Sequence, residues 1–167
     1  AFLDQRTGQF RFNIPLLTKR IVDSIHWLTA EPRLNQLPLG LYGASTGAAA
    51  AIRAASEDRN HIKAIVSRGG RPDLAGVPFL HSLKPPTLFV VGAKDSEVLS
   101  IHQRILAQLT CPKELTIIPQ AGHLFQEPGT LDEVARHTTR WFHTYLGLKE
   151  QASFSFPARQ NVSLTPS

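Results

Sequence analysis

One short stretch constrains the fold more than any other, because it turns the backbone from strand to helix within a few residues. Residues 38–43 form an apolar run that becomes glycine-rich, and residues 46–57, TGAAAAIRAASE, are alanine-rich and favour a helix. Between them lies Gly43-Ala44-Ser45-Thr46-Gly47, which matches G-x-S-x-G. We expect both glycines to remove side-chain clashes in so tight a turn. The stretch therefore predicts a strand–turn–helix in which Ser45 projects above the end of the strand.

Apolar periodicity predicts that helices and strands alternate along the rest of the chain. The predicted helices cover residues 15–31, 46–57, 96–109 and 130–146, and the predicted strands cover 38–43, 62–67, 87–92 and 114–118. Residues 71–86 contain several prolines and are expected to form a loop region with room for one helical turn. Thr130 and Glu133 have the spacing of a capping box at the start of the last helix.

Strand segments such as LFVV and AIVS are almost entirely apolar, which is typical of strands buried on both faces of a sheet. Helices that alternate with such strands indicate right-handed crossovers between parallel neighbours. The sequence therefore predicts an α/β fold, with a mostly parallel sheet and helices on both faces.

Length and composition fit one globular domain. The chain has 167 residues, of which 42% are hydrophobic and 19% charged. We expect residues 1–146 to form the domain and residues 147–167, rich in Ser, Gln and Pro, to be a mobile tail. No apolar run is long enough to span a membrane, and no signal-peptide pattern opens the chain. Cys111 is the only cysteine, so no internal disulfide is possible and a cytoplasmic location is expected.

The net charge of +5 does not indicate a nucleic-acid partner, because the Lys and Arg residues are scattered rather than clustered. A solvated basic surface is the interpretation that this distribution favours. No pair of histidines shows metal-ligand spacing with acidic residues. We therefore expect no metal, no cofactor, no nucleic acid and no membrane contact.

A serine nucleophile needs a base, because its hydroxyl reacts weakly until a base accepts the proton. Asp95 follows the strand PTLFVV, and His123 follows the next strand along the chain. Both lie after carboxyl ends of strands, where α/β sheets place their sites. We expect Asp95 to orient His123, and His123 to deprotonate Ser45 and later protonate the leaving group. The N–H of Thr46 would supply one oxyanion-hole donor.

Simpler interpretations stand beside these roles. Ser45 has an alternative role as the N-cap of the following helix, Asp95 as an N-cap, and His123 as an ordinary turn residue. Asp73, which follows the preceding strand, is a competing acid for the histidine. Each of these alternatives fits the same sequence spacing.

A second polar stretch, Ser67-Arg68-Gly69-Gly70-Arg71, also follows a predicted strand. Its glycines suit a backbone nest for an anion, and Arg68 and Arg71 suit a carboxylate or phosphate of a substrate. The alternative is an ordinary turn with solvated arginines. An anion-binding domain that uses these arginines is accordingly a third, weaker functional hypothesis.

Four segments carry a resemblance to the α/β-hydrolase superfamily and, within it, to the dienelactone-hydrolase-like group: GLYGASTGAAAA, IVSRGGRPDLAG, PTLFVVGAKD and AGHLFQEPG. The resemblance covers about residues 1–146, and some bacterial and cyanobacterial members are fused to phosphoribosyltransferase domains. It implies a serine hydrolase that attacks an ester, thioester or lactone through an acyl-enzyme on Ser45. Dienelactone hydrolases themselves carry cysteine at this turn, so Ser45 favours an esterase-like reaction.

The same resemblance implies that part of the domain is not in this chain. The sheet of the family normally begins with several strands before the helix that precedes the serine turn, and this chain has room for only the later four. The absent part includes a second oxyanion donor and the strand beside 38–43, which would otherwise form a bare apolar edge. The chain also contains no methionine. We expect pairing with a missing N-terminal half or a second subunit; the alternatives are a non-catalytic binding module and an inactive fragment.

Overall fold

The structure is a computed structural model, and it describes residues 8–58 and 60–147. Its helices are α1 (Ile14–Ala30), α2 (Thr46–Glu57), α3 (Val77–Ser82), α4 (Ser96–Leu106) and α5 (Thr130–Leu146). Its strands are β1 (Leu39–Ala44), β2 (Ile62–Arg68), β3 (Thr87–Gly92) and β4 (Lys113–Ile118). All the predicted elements are therefore present, and their bounds differ from the prediction by at most three residues. The predicted tail lies outside the described residues from 148 onwards.

The strands form one parallel sheet in the order β1-β2-β3-β4. The fold class predicted from the sequence is thus confirmed. All six residues of β3 are buried, as expected for a central strand covered on both faces. Because the strands are parallel, the loops that follow them lie at one edge of the sheet.

Helices cover the two faces of the sheet unequally. Side chains alternate across each strand, so Ile65 and Phe89 face α1, α2, α3 and α4, whereas Val66 and Val90 face α5. Helix α5 buries Val134 and Trp141 in its part of the core. The result is a three-layer arrangement, with four helices on one face and a single long helix on the other.

Alanine allows α2 to lie close to the sheet. Eight residues of this helix are buried, and six of them are alanines with exposed fractions of 2% or less: Ala48, Ala49, Ala50, Ala51, Ala54 and Ala55. Small side chains permit a short separation between helix and strand without loss of packing. The beginning of α2 is therefore held firmly at the end of β1.

Two local predictions differ from the structure. The segment 71–86 is not only a loop, because it contains a 3-10 helix at Pro72–Ala75 followed by α3. The capping box is also wrong: Gly129, with a φ of 77°, is the N-cap of α5, and Thr130 is already helical. The Thr130 hydroxyl lies 2.9 Å from the carbonyl oxygen of Phe125 and 2.7 Å from that of Glu127. It therefore binds the preceding loop and leaves the first turn of the helix uncapped.

Candidate active site

Ser45 occupies the turn between β1 and α2 with an uncommon backbone conformation. Its φ of 50° and ψ of −123° lie where residues other than glycine are rarely found. The Ser45 N–H donates to the carbonyl oxygen of Arg68 at 3.2 Å, and the Ser45 carbonyl accepts from the N–H of Arg71 at 3.1 Å. Its side chain makes no capping hydrogen bond to α2. Strain of this kind persists only where neighbouring structure enforces it, and it is concentrated at functional sites.

The two glycines of the turn differ in how strictly they are required. A Cβ at Gly43 would lie 2.6 Å from the backbone of Ala48, so only glycine fits where the strand meets the helix. At Gly47 a Cβ would meet no described atom within 4 Å. The expectation that both glycines relieve a clash is therefore wrong for Gly47. The reason is its position beside an open groove of about 390 Å³ between α1, β1 and α2.

Thr46 is the first residue of α2, directly after Ser45. The N–H groups of a first helical turn have no carbonyl partner within the helix, and they favour negative charge nearby. The Thr46 hydroxyl donates to the carbonyl oxygen of Arg11 at 2.9 Å, which ties the side chain to the segment before α1. The Thr46 N–H is therefore at a helix terminus suited to an oxyanion, while its side chain has a structural contact.

Asp95 and His123 lie together at the carboxyl edge of the sheet. Asp95 Oδ2 is 2.6 Å from His123 Nδ1, although the residues are 28 positions apart. Asp95 stands at the N-cap position of α4 but makes no side-chain capping bond, so its carboxylate is directed to the histidine instead. A neutral imidazole that donates from Nδ1 has its lone pair on Nε2, the form required of a general base.

Backbone contacts between two loops bring this pair together. The N–H of Lys94 donates to the carbonyl oxygen of Ala121 at 2.9 Å, and the N–H of Ala93 donates to that of Ile118 at 3.0 Å. A Cβ at Gly92 would lie 2.4 Å from the Ala121 oxygen, so glycine permits this close approach. The loops after β3 and β4 are consequently one hydrogen-bonded unit.

The turn after β2 connects the histidine with the serine. A Cβ built on Gly69 would lie 3.7 Å from Cε1 of His123, so the ring lies beside this turn. The carbonyl of the preceding residue, Arg68, accepts the Ser45 N–H. Ser45 and His123 thus border the same turn, but within the described residues no hydrogen bond joins the Ser45 hydroxyl to the ring. Catalytic hydrogen bonds are often loose in the absence of substrate.

The competing acid, Asp73, forms a different contact. Arg71 Nε donates to Asp73 Oδ1 at 2.9 Å, and Arg71 Nη2 donates to Oδ2 at 2.7 Å. This bidentate pair lowers the pKa of Asp73 below its ordinary value of 3.8. Asp73 therefore neutralises Arg71 and is not directed at His123.

Arg68 has a different environment from Arg71. Its guanidinium carbon lies 5.4 Å from the centre of the Phe125 ring, a cation–π distance. Among the residues that the structure describes, no carboxylate pairs with it. Of the two arginines, Arg68 is therefore the cation whose charge is still available to a ligand.

Glu127 lies beside these residues, although it is not among the site residues that the sequence predicts. Both of its carboxylate oxygens accept the N–H of Gly122, at 3.0 and 3.1 Å. Gly122 directly precedes His123 in the chain. Its own backbone N–H and that of Gly122 lower the pKa of this carboxyl below its ordinary value of 4.5. The only signal in the sequence is a glutamate four residues after the histidine in AGHLFQEPG.

Other titratable side chains lie in the core. Burial lowers the pKa of His102, whose Nδ1 is 2.8 Å from the carbonyl oxygen of Val98. Burial likewise raises the pKa of the Cys111 thiol. Within residues 8–58 and 60–147, no group of three or more His, Cys, Asp or Glu side chains is placed to hold a metal ion. In the same part of the chain, none of the helices has the length and apolar character needed to cross a bilayer.

Comparison with known proteins gives relatives of two kinds. No protein-family model matches the chain. Two Mycobacterium tuberculosis proteins, from strains CDC 1551 and H37Rv, bear the name "Putative phosphoribosyl transferase" and are 48% identical over 143 residues. The match covers 86% of this chain but 32% of each relative. This chain therefore spans about a third of the length of the curated proteins that it matches.

The second kind of relative consists of proteins whose structures are solved. A dienelactone hydrolase from Anabaena variabilis is 47% identical, with a TM-score of 0.83 over 86% of this chain and 66% of that one. An esterase domain from Rhodothermus marinus has a TM-score of 0.65 at 21% identity, over 78% of this chain and 69% of that one. An alpha-beta serine hydrolase homologue from Coxiella burnetii has a TM-score of 0.64 at 20% identity, over 77% and 59%. The last two likenesses concern the fold alone.

Proposed function

This chain belongs to the α/β-hydrolase superfamily, and from that premise we propose that it is a serine hydrolase of small carboxylic esters, thioesters or lactones. The observation that carries the proposal is the 2.6 Å contact between Asp95 and His123, whose ring lies beside the turn after β2 that also binds the Ser45 backbone. The strained backbone of Ser45 supports the same assignment. The 47% identity to a dienelactone hydrolase supports the hydrolase class.

In the proposed reaction, Ser45 Oγ forms a bond to the carbonyl carbon of the substrate while His123 Nε2 accepts the hydroxyl proton. The Thr46 N–H donates to the oxyanion of the tetrahedral intermediate. The bond to the leaving group then breaks, and His123 returns the proton to that group. Water attacks the acyl-enzyme in the same way, which releases the acid and restores Ser45. Asp95 keeps His123 in the required tautomer and stabilises its charged form.

The two arginines in the turn after β2 bear on whether the substrate carries a negative charge. Arg68 has no carboxylate partner among the described residues, whereas Arg71 is neutralised by Asp73. We therefore propose that Arg68 binds a negatively charged group of the substrate and that Arg71 stabilises the turn after β2. No cofactor takes part in this reaction scheme, and a cytoplasmic location stays a prediction.

The proposed active form has a further strand beside β1. Tyr42 of β1 is 49% exposed, and β1 pairs with β2 as one edge of the described sheet. This chain matches 66% of the dienelactone hydrolase, so that protein has additional polypeptide that is not matched. We propose that a corresponding N-terminal half, or failing that a second subunit, pairs with β1 and supplies the second oxyanion donor.

The transferase name of the mycobacterial relatives supports no reaction for this chain. The match covers 32% of each relative, so most of each named protein lies outside the match. We infer that these relatives join a hydrolase-like portion to a separate transferase portion. The remaining candidate for this chain is a non-catalytic binding module, which is favoured by the missing hydrogen bond between Ser45 and His123 in the described residues.

Reaction with a fluorophosphonate probe tests the nucleophile. We expect the parent chain to be labelled on Ser45 and Ser45→Ala to be unlabelled. His123→Gln should be labelled about 10²–10⁴-fold more slowly, since general-base catalysis contributes that much. Mass spectrometry of the modified peptide identifies the site.

The matched control is Ser24→Ala, which removes an exposed helical hydroxyl bonded to the Arg20 carbonyl and should be labelled at the parent rate. Equal labelling of the parent and Ser45→Ala would show that Ser45 is not the nucleophile. A folded parent chain that is not labelled would favour the binding module.

A further inference from the structure

The loop that carries His123 has an unusual backbone and little side-chain packing around the histidine itself. Residues 119–129, here called the histidine loop, contain Gln120 with a φ of 62° and Phe125 with a φ of 56°. These left-handed conformations are uncommon for residues other than glycine. The His123 side chain is 41% exposed, so packing alone does not fix the ring. Its orientation must depend on how the loop is held.

Glu127 holds the histidine loop from within. Its two carboxylate oxygens accept the N–H of Gly122, at 3.0 and 3.1 Å, and the next residue is His123. Hydrogen bonds to an ionised acceptor are stronger than neutral ones. The Glu127 carbonyl is in turn 2.7 Å from the hydroxyl of Thr130 at the start of α5. Glu127 therefore connects the start of α5, through its backbone carbonyl, to the peptide between Ala121 and Gly122, through its side chain.

The loop that carries Asp95 also binds the peptide between Ala121 and Gly122. The Ala121 carbonyl accepts the N–H of Lys94, next to Asp95, and Ala121 is fully buried. One face of the Ala121–Gly122 segment is thus bound to the loop after β3, and the Gly122 N–H is bound to Glu127. Removal of the carboxylate would leave the Gly122 N–H without its acceptor, while the Ala121 carbonyl would stay bound to Lys94.

We propose that Glu127 is a positioning residue, which holds the Gly122 N–H and thereby sets the angle at which His123 meets Asp95. The kinetic part of this inference rests on the proposed function, whereas the structural part does not. This role goes beyond the contact between Asp95 and His123, and the names of the relatives do not describe it.

Two readouts on the intact chain test the inference. The ring ¹⁵N shifts of His123 report its tautomer, which the contact with Asp95 should hold in the Nδ1–H form. The rate of fluorophosphonate labelling, with kcat and KM for a p-nitrophenyl ester, reports the reaction. We expect Glu127→Ala to give a mixture of tautomers, to lower the labelling rate and kcat about 10- to 100-fold, and to leave KM nearly unchanged.

Two conservative variants separate the effect of side-chain length at position 127 from the effect of its negative charge. Glu127→Gln loses the charge but keeps an oxygen that can accept the Gly122 N–H, so it should lie closer to the parent than Glu127→Ala does in both readouts. Glu127→Asp keeps the charge but is one methylene shorter, so it should resemble Glu127→Ala. Gln126→Ala, at an exposed neighbouring position, is the matched control and should behave as the parent does.

The outcomes are distinguishable. A parent-like His123 tautomer in Glu127→Ala, or a parent-like Glu127→Asp beside an impaired Glu127→Gln, would overturn the inference. If Glu127→Ala does not fold, the Gln and Asp variants still decide. If the parent is not labelled at Ser45, the proposed function fails, but the His123 shifts of the variants test the positioning role independently.

Discussion

The two halves of the candidate site differ in how they are enclosed. Asp95 and His123 lie on loops that follow β3 and β4, and backbone hydrogen bonds from Ala93 and Lys94 connect these loops. Ser45 lies at the end of β1, an edge strand of the described sheet with the half-exposed Tyr42. Both members of the Asp95–His123 pair, and the contacts that hold their loops together, therefore lie within the described residues. The nucleophile half has a fixed backbone but borders an open groove.

This difference indicates where the activity of the chain would be limited. In the proposed mechanism His123 activates Ser45, but the oxyanion needs donors from more than one direction. Thr46 supplies one donor in the proposed mechanism. The other direction is the side of β1 that no described strand covers. We expect the chain by itself to react with strong electrophiles more readily than it turns over esters.

The largest predicted effect tests whether the nucleophile half is incomplete. Addition of the portion of the Anabaena dienelactone hydrolase that this chain does not match, as a fusion or a separate chain, should raise kcat for a p-nitrophenyl ester about 10²–10³-fold, the typical contribution of one oxyanion donor. The same addition to Ser45→Ala is the control and should give no increase. Steady-state hydrolysis measures both. An unchanged kcat in a complex that demonstrably forms would contradict the proposed role of the β1 edge.

A smaller effect distinguishes the two glycines of the serine turn. Gly43→Ala places a Cβ 2.6 Å from the backbone of Ala48 and should lower the free energy of unfolding by about 1–3 kcal/mol, as overpacking does. Gly47→Ala enters open space in a helix and should raise it by about 1 kcal/mol. Urea denaturation of both variants measures the difference. Equal effects would mean that the close contact of β1 with α2 does not set the geometry of Ser45.

The smallest effect concerns the two arginines. Arg68→Ala should raise KM for an ester that also bears a carboxylate about 10-fold, because a charge-assisted hydrogen bond contributes roughly 1.5 kcal/mol, and should leave a neutral ester unaffected. Arg71→Ala should change KM for the two esters equally, because Arg71 is already paired with Asp73. A comparison of KM for the two esters measures this selectivity. If Arg71→Ala alone is selective against the charged ester, the assignment to Arg68 is wrong.

Much of the architecture follows from local sequence patterns. Apolar runs at strand length and stripes at helix spacing predicted the eight described helices and strands other than α3 to within three residues, because each pattern reflects burial on defined faces. The segment 71–86 was predicted less well, since its two short helices have a proline in the first turn, are separated by Gly76 and have no long periodic stripe. The cap of α5 was also predicted wrongly, because the Thr130 hydroxyl binds carbonyls of the histidine loop.

The sequence alone determined the order of elements, the parallel sheet and a set of candidate site residues, because these depend on periodicity and on which strand each residue follows. Only the tertiary structure decided which acid faces His123, since Asp73 and Asp95 both follow strands and differ in the partner that each meets. It also decided that Gly43 is sterically required while Gly47 is not, and that Glu127 binds the peptide before His123. Such contacts join residues from different loops, and no local pattern in a single sequence encodes a distance between them.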